Sequence, residues 1–303
     1  MSTKLRLALR GPGGEPVDLW RTIVSHGVAS LPPMFVDEEE RVLEVTLKAG
    51  RATRTVRVRE TSGAASVEIL GPQLSERGRT EVRDAVAHIL RLDEDLSDFY
   101  SKAATDPDLA WASAGAGRMV RSPTVFEEIV KTICTTNCTW SATERMVGAI
   151  VEHLGDRAPN APASGTRGRA FPTPEAVAAA GERFYKEVAR AGYRGAYIVS
   201  LAESVAEGRM DPEELTAPDL PEEEVRDRLL ALPGVGPYAA AHIMMMLGRY
   251  SSLILDSWTR PKYARLKGRK SVDDATILRK FKRYGNYAGL AFWLFLTRDW
   301  VEE

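Results

Sequence analysis

The hydrophobic period of the chain changes once, and that change limits the folds open to it. Residues 4–71 hold short runs of alternating or β-branched character, KLRLALR, RVLEVTLKAG, TRTVRVRE and ASVEILG, separated by Gly, Pro and Ser. This is the two-residue period of half-buried strands. In SERGRTEVRDAVAHILRL, residues 75–92, the period lengthens and Val82, Val86, Ile89 and Leu90 fall on one helical face. Beyond residue 95 no strand pattern returns. SPTVFEEIVKTICTT reads as a helix capped by Ser122, with Pro123 at its first position. TPEAVAAAGERFY, YIVSLAESVAEG, PEEEVRDRLLAL, PYAAAHIMMMLG, DDATILRKFKRYG and NYAGLAFWLFLTRDW continue as helices, while residues 154–174, rich in Pro, Gly, Ala and Ser, read as a loop. The expectation is a mainly α protein with a small N-terminal α+β domain: an antiparallel sheet region over 1–94, then a helical body over 95–303, with no internal repeat.

At 303 residues and 44% hydrophobic content, the chain can bury an ordinary core. The start, MSTKLRLALR, has no apolar core or cleavage site, and no run approaches the roughly 18 apolar residues of a membrane span. A soluble cytoplasmic protein with no membrane contact is expected. Cys134 and Cys138, the two cysteines, stand four apart, which on a helix places both on one face. Without a second pair or nearby histidines they read as buried structural cysteines, and no metal site is expected.

The formal charge of -1 averages over a lopsided distribution. From Arg249 to Arg283 there are eleven Lys and Arg residues against three acids, while acids gather in VDEEE (36–40) and LPEEEVRD (220–227). Such a split suits a molecule that turns one face to phosphate.

A second constraint lies in LALPGVGPYAAAHIMMML, residues 230–247. EEVRDRLLA forms one helix, LPGVG a five-residue hairpin, and a second helix begins with Pro237 at its first position. Gly234 and Gly236, through their access to positive φ, let the chain reverse within one turn. The amides left unpaired at the hairpin and helix start then suit a phosphate, and Leu232, Gly234, Val235 and Gly236 are the candidate backbone-binding residues.

Eighteen residues past Tyr238, after the apolar SSLIL, comes Asp256 in LILDSWTR. With this pairing the sequence resembles the helix-hairpin-helix superfamily of DNA glycosylases, whose L-P-G-[VI]-G hairpin is followed by an aspartate at a helix start. GRMVRSPTVFEEIVKTICTTNCTW, FPTPEAVAAAG, AGYRGAYIVSLAESV and YGNYAGLAFWLF are similar to further segments of the 8-oxoguanine glycosylases, so the resemblance covers most of residues 95–303. It implies a partner, double-stranded DNA containing damaged bases, and a catalytic role for Asp256. A carboxylate beside the anomeric carbon stabilises the positive charge that builds on the sugar as the base departs. It further implies that Asn137, Tyr193 and Arg194 contact the orphaned base opposite the extruded one. Trp140, Tyr238, Trp258 and Phe292 are the candidate aromatics of the base pocket.

The departures from the family pattern shape the expected activity. Tyr238 stands where bifunctional members carry a Schiff-base lysine, which implies a monofunctional enzyme that leaves an abasic site without cutting the strand. Two cysteines cannot supply the four of the family's iron–sulfur cluster, so no cofactor is expected beyond a possible monovalent cation at the hairpin. Phe292 and Leu296 replace the glutamine and phenylalanine that grip oxidised guanine. The expected substrate is therefore an alkylated purine such as 3-methyladenine or 7-methylguanine, released in base excision repair by a monomer at the nucleoid. The alternatives are another modified base, oxidised included, or a non-catalytic protein that senses damaged DNA. Pro261, five residues after Asp256, would interrupt a helix beginning at Ser257.

Overall fold

The alternating runs become strands. The computed structural model describes residues 3–301, so the outermost residues of the two expected regions, Met1, Ser2, Glu302 and Glu303, lie outside the described residues. Strands β1 (Thr3–Ala8), β2 (Met34–Asp37), β3 (Val42–Ala49), β4 (Ala52–Thr61) and β5 (Ala64–Ile69) pair antiparallel in the order β1-β5-β4-β3-β2. The four-residue β2 was not expected, because MFVD is too short to show a period. Ser62 and Gly63, both at positive φ (51° and 69°), make the tight turn between β4 and β5. Register between β3 and β4 sets Thr46 against Thr55, whose hydroxyls lie 2.9 Å apart.

Helices α1 (Leu19–Ile23) and α2 (Glu76–Ile89) cover one face of the sheet. Ser75 caps α2, its Oγ accepting from Gly78 N at 3.2 Å. Val82, Val86, Ile89 and Leu90 are buried against Leu43, Val45, Val56, Val58 and Val67, as their spacing requires. Each such side chain contributes about 1.5–3 kcal/mol of transfer energy.

The helical body holds α3 (Ser97–Ala103), α4 (Val125–Thr135), α5 (Trp140–Leu154), α6 (Pro174–Ala179), α7 (Gly181–Arg183), α8 (Arg194–Ala206), α9 (Glu222–Leu230), α10 (Pro237–Met246), α11 (Thr259–Leu266), α12 (Asp274–Phe281) and α13 (Ala288–Thr297). No named strand occurs after Ile69 among the described residues. The cap of α4 is Thr124, whose Oγ1 accepts from Glu127 N, and not Ser122, whose own N–H donates to Glu128 Oε2. TPEAVAAAGERFY is not one helix: it divides at Gly181, which takes φ 73°. The segment between α5 and α6 forms no helix or strand, apart from an isolated bridge between Arg157 and Arg169.

Two apolar clusters fill this body, one built on α4, α5, α8 and α9, the other on α3, α11, α12 and α13. Helix α10 belongs to both, with Ile243 and Met244 in the first and Met245 and Met246 in the second. Helix α10 therefore runs along the seam between the two halves. The chain's early segment packs on the same seam: Trp293 Nε1 donates to Ser25 O at 2.8 Å, and Arg118 reaches Glu15 at 2.5 Å. No helix among the described residues is long and apolar enough to cross a membrane.

Candidate functional site

The hairpin is bare for two separate reasons. Gly234 takes φ 83°, and a Cβ there would sit 2.6 Å from Tyr197 Cδ2. Gly236 is extended (φ -94°, ψ -177°) and has no atom within 4 Å of where a Cβ would lie. Only Gly234 therefore needs glycine for its backbone conformation, a correction to the expectation for both. Gly236 keeps the surface open. Val235 N donates to Leu232 O at 3.1 Å and closes the turn, while the Val235 side chain is buried and that of Leu232 half-buried against the first cluster. The side chains anchor the hairpin, and its backbone is what it presents. The N–H groups of Gly234, Gly236, Tyr238 and Ala239 donate no hydrogen bond among the described residues. With the positive end of α10 behind them they form a ready anion site.

Asp256 is half-buried at the start of α11. Its Oδ1 accepts from Trp258 N at 2.8 Å and Thr259 N at 2.7 Å, and its own N–H donates to Thr259 Oγ1 at 2.8 Å. The carboxylate is held by one oxygen, while Oδ2 accepts no hydrogen bond among the described residues. Pro261 does not interrupt α11, because the helix begins at Thr259 and the proline falls in its first turn, where no N–H is used. Helix capping and a free carboxylate oxygen thus coexist in one side chain.

Tyr238, whose phenol feels the Asp256 charge, and Trp258, whose N–H donates to Asp256, belong to an aromatic group beside it. They are 39% and 40% exposed, unusual for large rings in a protein with ample core, and Trp140 is exposed to a similar 42%. The Trp258 ring lies 5.7 Å from that of Trp293 and 5.9 Å from that of Trp300. Trp140 stands 3.5 Å from the position of a Cβ on Gly27, next to His26. Phe292 is not part of this group. It is 1% exposed and packs against Phe281, with ring centroids 5.2 Å apart, in the second cluster. One residue further round α13, Trp293 faces Trp258 and His242, a shift of about 100° that a sequence reading of an all-apolar helix has no polar face to fix.

The sequence reading also missed His242. It lies one turn beyond Tyr238 on α10, with ring centroids 4.6 Å apart, and 6.4 Å from the Trp293 ring. Its Nε2 is buried without a hydrogen-bond partner among the described residues. A lone histidine in an apolar helix reads as core, and the available signal was its four-residue spacing from Tyr238. Burial pushes the His242 imidazolium down to about 4, against the opposing pull of Asp256's charge. Burial also lowers His26, whose Nε2 lies 2.6 Å from Val120 O. Burial, aided by the Asp256 charge, raises the Tyr238 phenol above its ordinary range. Tyr238 and His242 are the groups that feel Asp256 from α10, and neither is a ready proton donor at neutral pH.

Asn137 and Tyr193 meet at a cleft of about 450 Å³ that the hairpin also lines. Asn137 takes φ 46° at the turn after α4 and its Nδ2 donates to Tyr193 Oη at 3.5 Å. Tyr193 is well exposed. Arg194 is placed differently: it is buried, and its guanidinium donates to Thr136 O and Ala191 O while stacking 4.7 Å from the Tyr193 ring. It braces the Asn137 turn and is spent on the protein's own carbonyls, so the expected contact with an orphaned base falls to Asn137 and Tyr193.

The basic segment from Arg249 to Arg283 is neutralised only in part, five of its eleven cations forming ion pairs. Arg260 pairs with Asp274, Lys262 with Asp299, Lys267 and Lys280 with Asp108, and Arg283 with Asp106. Three distant acids that folding returns to this face, Asp106, Asp108 and Asp299, offset part of the local excess, and counting along the chain could not see them. The cysteines also differ from expectation. Cys134 is buried, but Cys138 lies past the end of α4 and is exposed, its Sγ 3.2 Å from Cys134 O. Among the described residues no three His, Cys, Asp or Glu side chains gather as a metal site.

No protein-family model matches this sequence, and no curated protein does. Solved structures do match its shape. A 3-methyladenine DNA glycosylase from Archaeoglobus fulgidus superposes with a TM-score of 0.73 at 22% identity, covering 98% of this chain and 100% of that one. The fold is that of the helix-hairpin-helix DNA glycosylases. An 8-oxoguanine glycosylase/lyase from Clostridium acetobutylicum in its apo form gives 0.71 at 19% identity, over 97% and 95% of the two chains. MBOgg1 in complex with a low-affinity DNA ligand gives 0.72 at 18%, over 98% and 96%.

Proposed function

We propose that the protein is a monofunctional DNA glycosylase, acting as a single chain on duplex DNA to remove a positively charged, alkylated purine. The observation that carries this reading is Asp256: a carboxylate fixed through one oxygen, free at the other, within electrostatic reach of an aromatic group and of a bare hairpin at the seam of the fold. In this role the hairpin amides hold a backbone phosphate, Tyr193 and Asn137 fill the gap left by the extruded nucleotide, and the base enters among Tyr238, Trp258 and Trp293. The free Asp256 oxygen faces the sugar. As the glycosidic bond lengthens, that charge stabilises the oxocarbenium-like centre by about 3 kcal/mol and orients water for attack.

Two features favour an alkylated cation over a neutral lesion. Indoles and a phenol attract positive charge over their faces. A neutral purine also needs a proton to depart readily, whereas His242, held near 4, and the raised Tyr238 phenol supply none at neutral pH. A base already charged by alkylation leaves without that help. Tyrosine at 238 offers no amine for a Schiff base, and Lys262, the first lysine after Asp256, is engaged with Asp299. A monovalent cation at the hairpin would be held by backbone carbonyls, and no step here passes through it. The test is base release from duplexes carrying 3-methyladenine, 7-methylguanine, 8-oxoguanine or hypoxanthine, each read with and without alkaline cleavage. Release of the first two, with strand scission only after alkali, supports the reading; preferential release of 8-oxoguanine or hypoxanthine overturns the substrate, and scission without alkali overturns monofunctionality.

A further inference from the structure

The aromatic group beside Asp256 contains one buried nitrogen that has no partner among the described residues. His242 Nε2 is buried, has no partner among the described residues, and belongs to a ring set between Tyr238 and Trp293. An unmatched buried imidazole nitrogen destabilises the folded protein, and a ligand that supplies the partner removes that penalty. Three polar groups close to it in the fold are satisfied: His26 engages Val120 O, Trp293 Nε1 engages Ser25 O, and Asp256 Oδ1 engages two amides. His242 differs from them in this respect.

We propose that His242 is the specificity-determining residue of the pocket, its Nε2 accepting a hydrogen bond from an N–H on the edge of the extruded purine. The inference rests on the glycosylase reading and adds to it the means by which the base is read. A neutral imidazole protonated on Nδ1 presents a lone pair at Nε2. Alkylation places positive charge on the purine, which sharpens its N–H donors and weakens its acceptors, so an acceptor in the pocket selects the cation. Such a charge-assisted bond is stronger than a neutral one. Burial keeps the ring neutral, since its imidazolium is pushed down to about 4 by desolvation and further lowered by His26, with Asp256 acting in the opposite sense. Stacking alone holds any flat base, and His242 supplies the directional contact.

The test compares two duplexes that differ only at the target nucleotide. One carries 2′-fluoro-7-methyl-2′-deoxyguanosine, whose fluorine disfavours positive charge on the sugar and so slows release. The other carries a tetrahydrofuran abasic analogue, which has no base to read. His242→Phe, which keeps a flat ring, is expected to lose about tenfold or more in affinity for the first duplex and nothing for the second. His242→Gln, which restores an acceptor, stays near wild type on both. Unchanged affinity of His242→Phe for the methylated duplex overturns the proposal, and so does an equal loss on both duplexes, which marks a packing role. Binding is read without turnover, so the outcome is independent of the glycosylase reading, which is tested by release of 7-methylguanine from the unfluorinated duplex by the wild-type protein.

Discussion

At Asp256 two demands meet in one side chain. Oδ1 closes the first turn of α11 through Trp258 N and Thr259 N, which fixes where Oδ2 can point. An asparagine keeps the capping carbonyl, so Asp256→Asn preserves the turn while removing the charge. Tyr238 carries the second residue-scale claim. With no amine at that position, borohydride treatment during turnover is expected to trap no covalent protein–DNA complex, and a trapped species on a denaturing gel would contradict the monofunctional assignment. Histidines give a third. The folded-state values of His88 and His242 are both lowered to about 4 from 6.5, chiefly by burial. A depressed imidazolium value means that the unfolded chain binds protons first as pH falls. Stability is therefore complete above about 6.5, declines between about 6.5 and 4, and levels off below. Urea midpoints measured at pH 7 and pH 5 check this, and a midpoint that does not fall toward pH 5 would contradict the burial of these rings.

The element that most rewards separate testing is the hairpin between α9 and α10, because its two glycines do different things. Gly234→Ala forces a side chain into positive φ and against Tyr197, at a cost of about 1–2 kcal/mol from backbone strain alone. It should lower the melting temperature and DNA affinity together. Gly236→Val meets no atom and no forbidden φ, so the fold should hold its melting temperature while binding weakens equally for damaged and undamaged duplex, since the lost contact is to phosphate. A loss confined to damaged duplex would contradict the phosphate role. Much of this element was legible in the sequence. LPGVG followed by Pro237 fixes the turn and the helix start through backbone chemistry, which is local. The residues that sequence reasoning misplaced are those whose role depends on facing. Phe292 and Trp293 are adjacent in a helix that is apolar all round, so no polar stripe says which one looks into the seam. Arg194 is an arginine next to an exposed tyrosine, and only the approach of Thr136 O from another helix end shows where its charge is spent. The paired cations of residues 249–283 fail to read for the same reason, their partners Asp106 and Asp108 being far away along the chain.

Across the whole molecule the sheet region and the helical body are joined by buried charge. Arg118 is fully buried and donates to Glu15, to Arg91 O and to Glu94 O, while Arg91 reaches Met119 O and the carbonyls closing α10. These contacts run from the start of the chain to the helix that bears Tyr238 and His242. Arg118→Met leaves Glu15 buried without its partner and should cost about 3–5 kcal/mol in denaturant unfolding. A loss below about 1 kcal/mol would show that the joint is not stabilised by this pair. The joint matters because the proposed site is assembled from both parts: His26 and Ser25 come from the early chain, the hairpin and Asp256 from the late one. The most direct test of the account is single-turnover release of 7-methylguanine by Asp256→Asn, measured beside its affinity for the same duplex. The account predicts affinity within a few-fold of wild type and release slowed by about 10²–10³ or more. Release at the wild-type rate would contradict it.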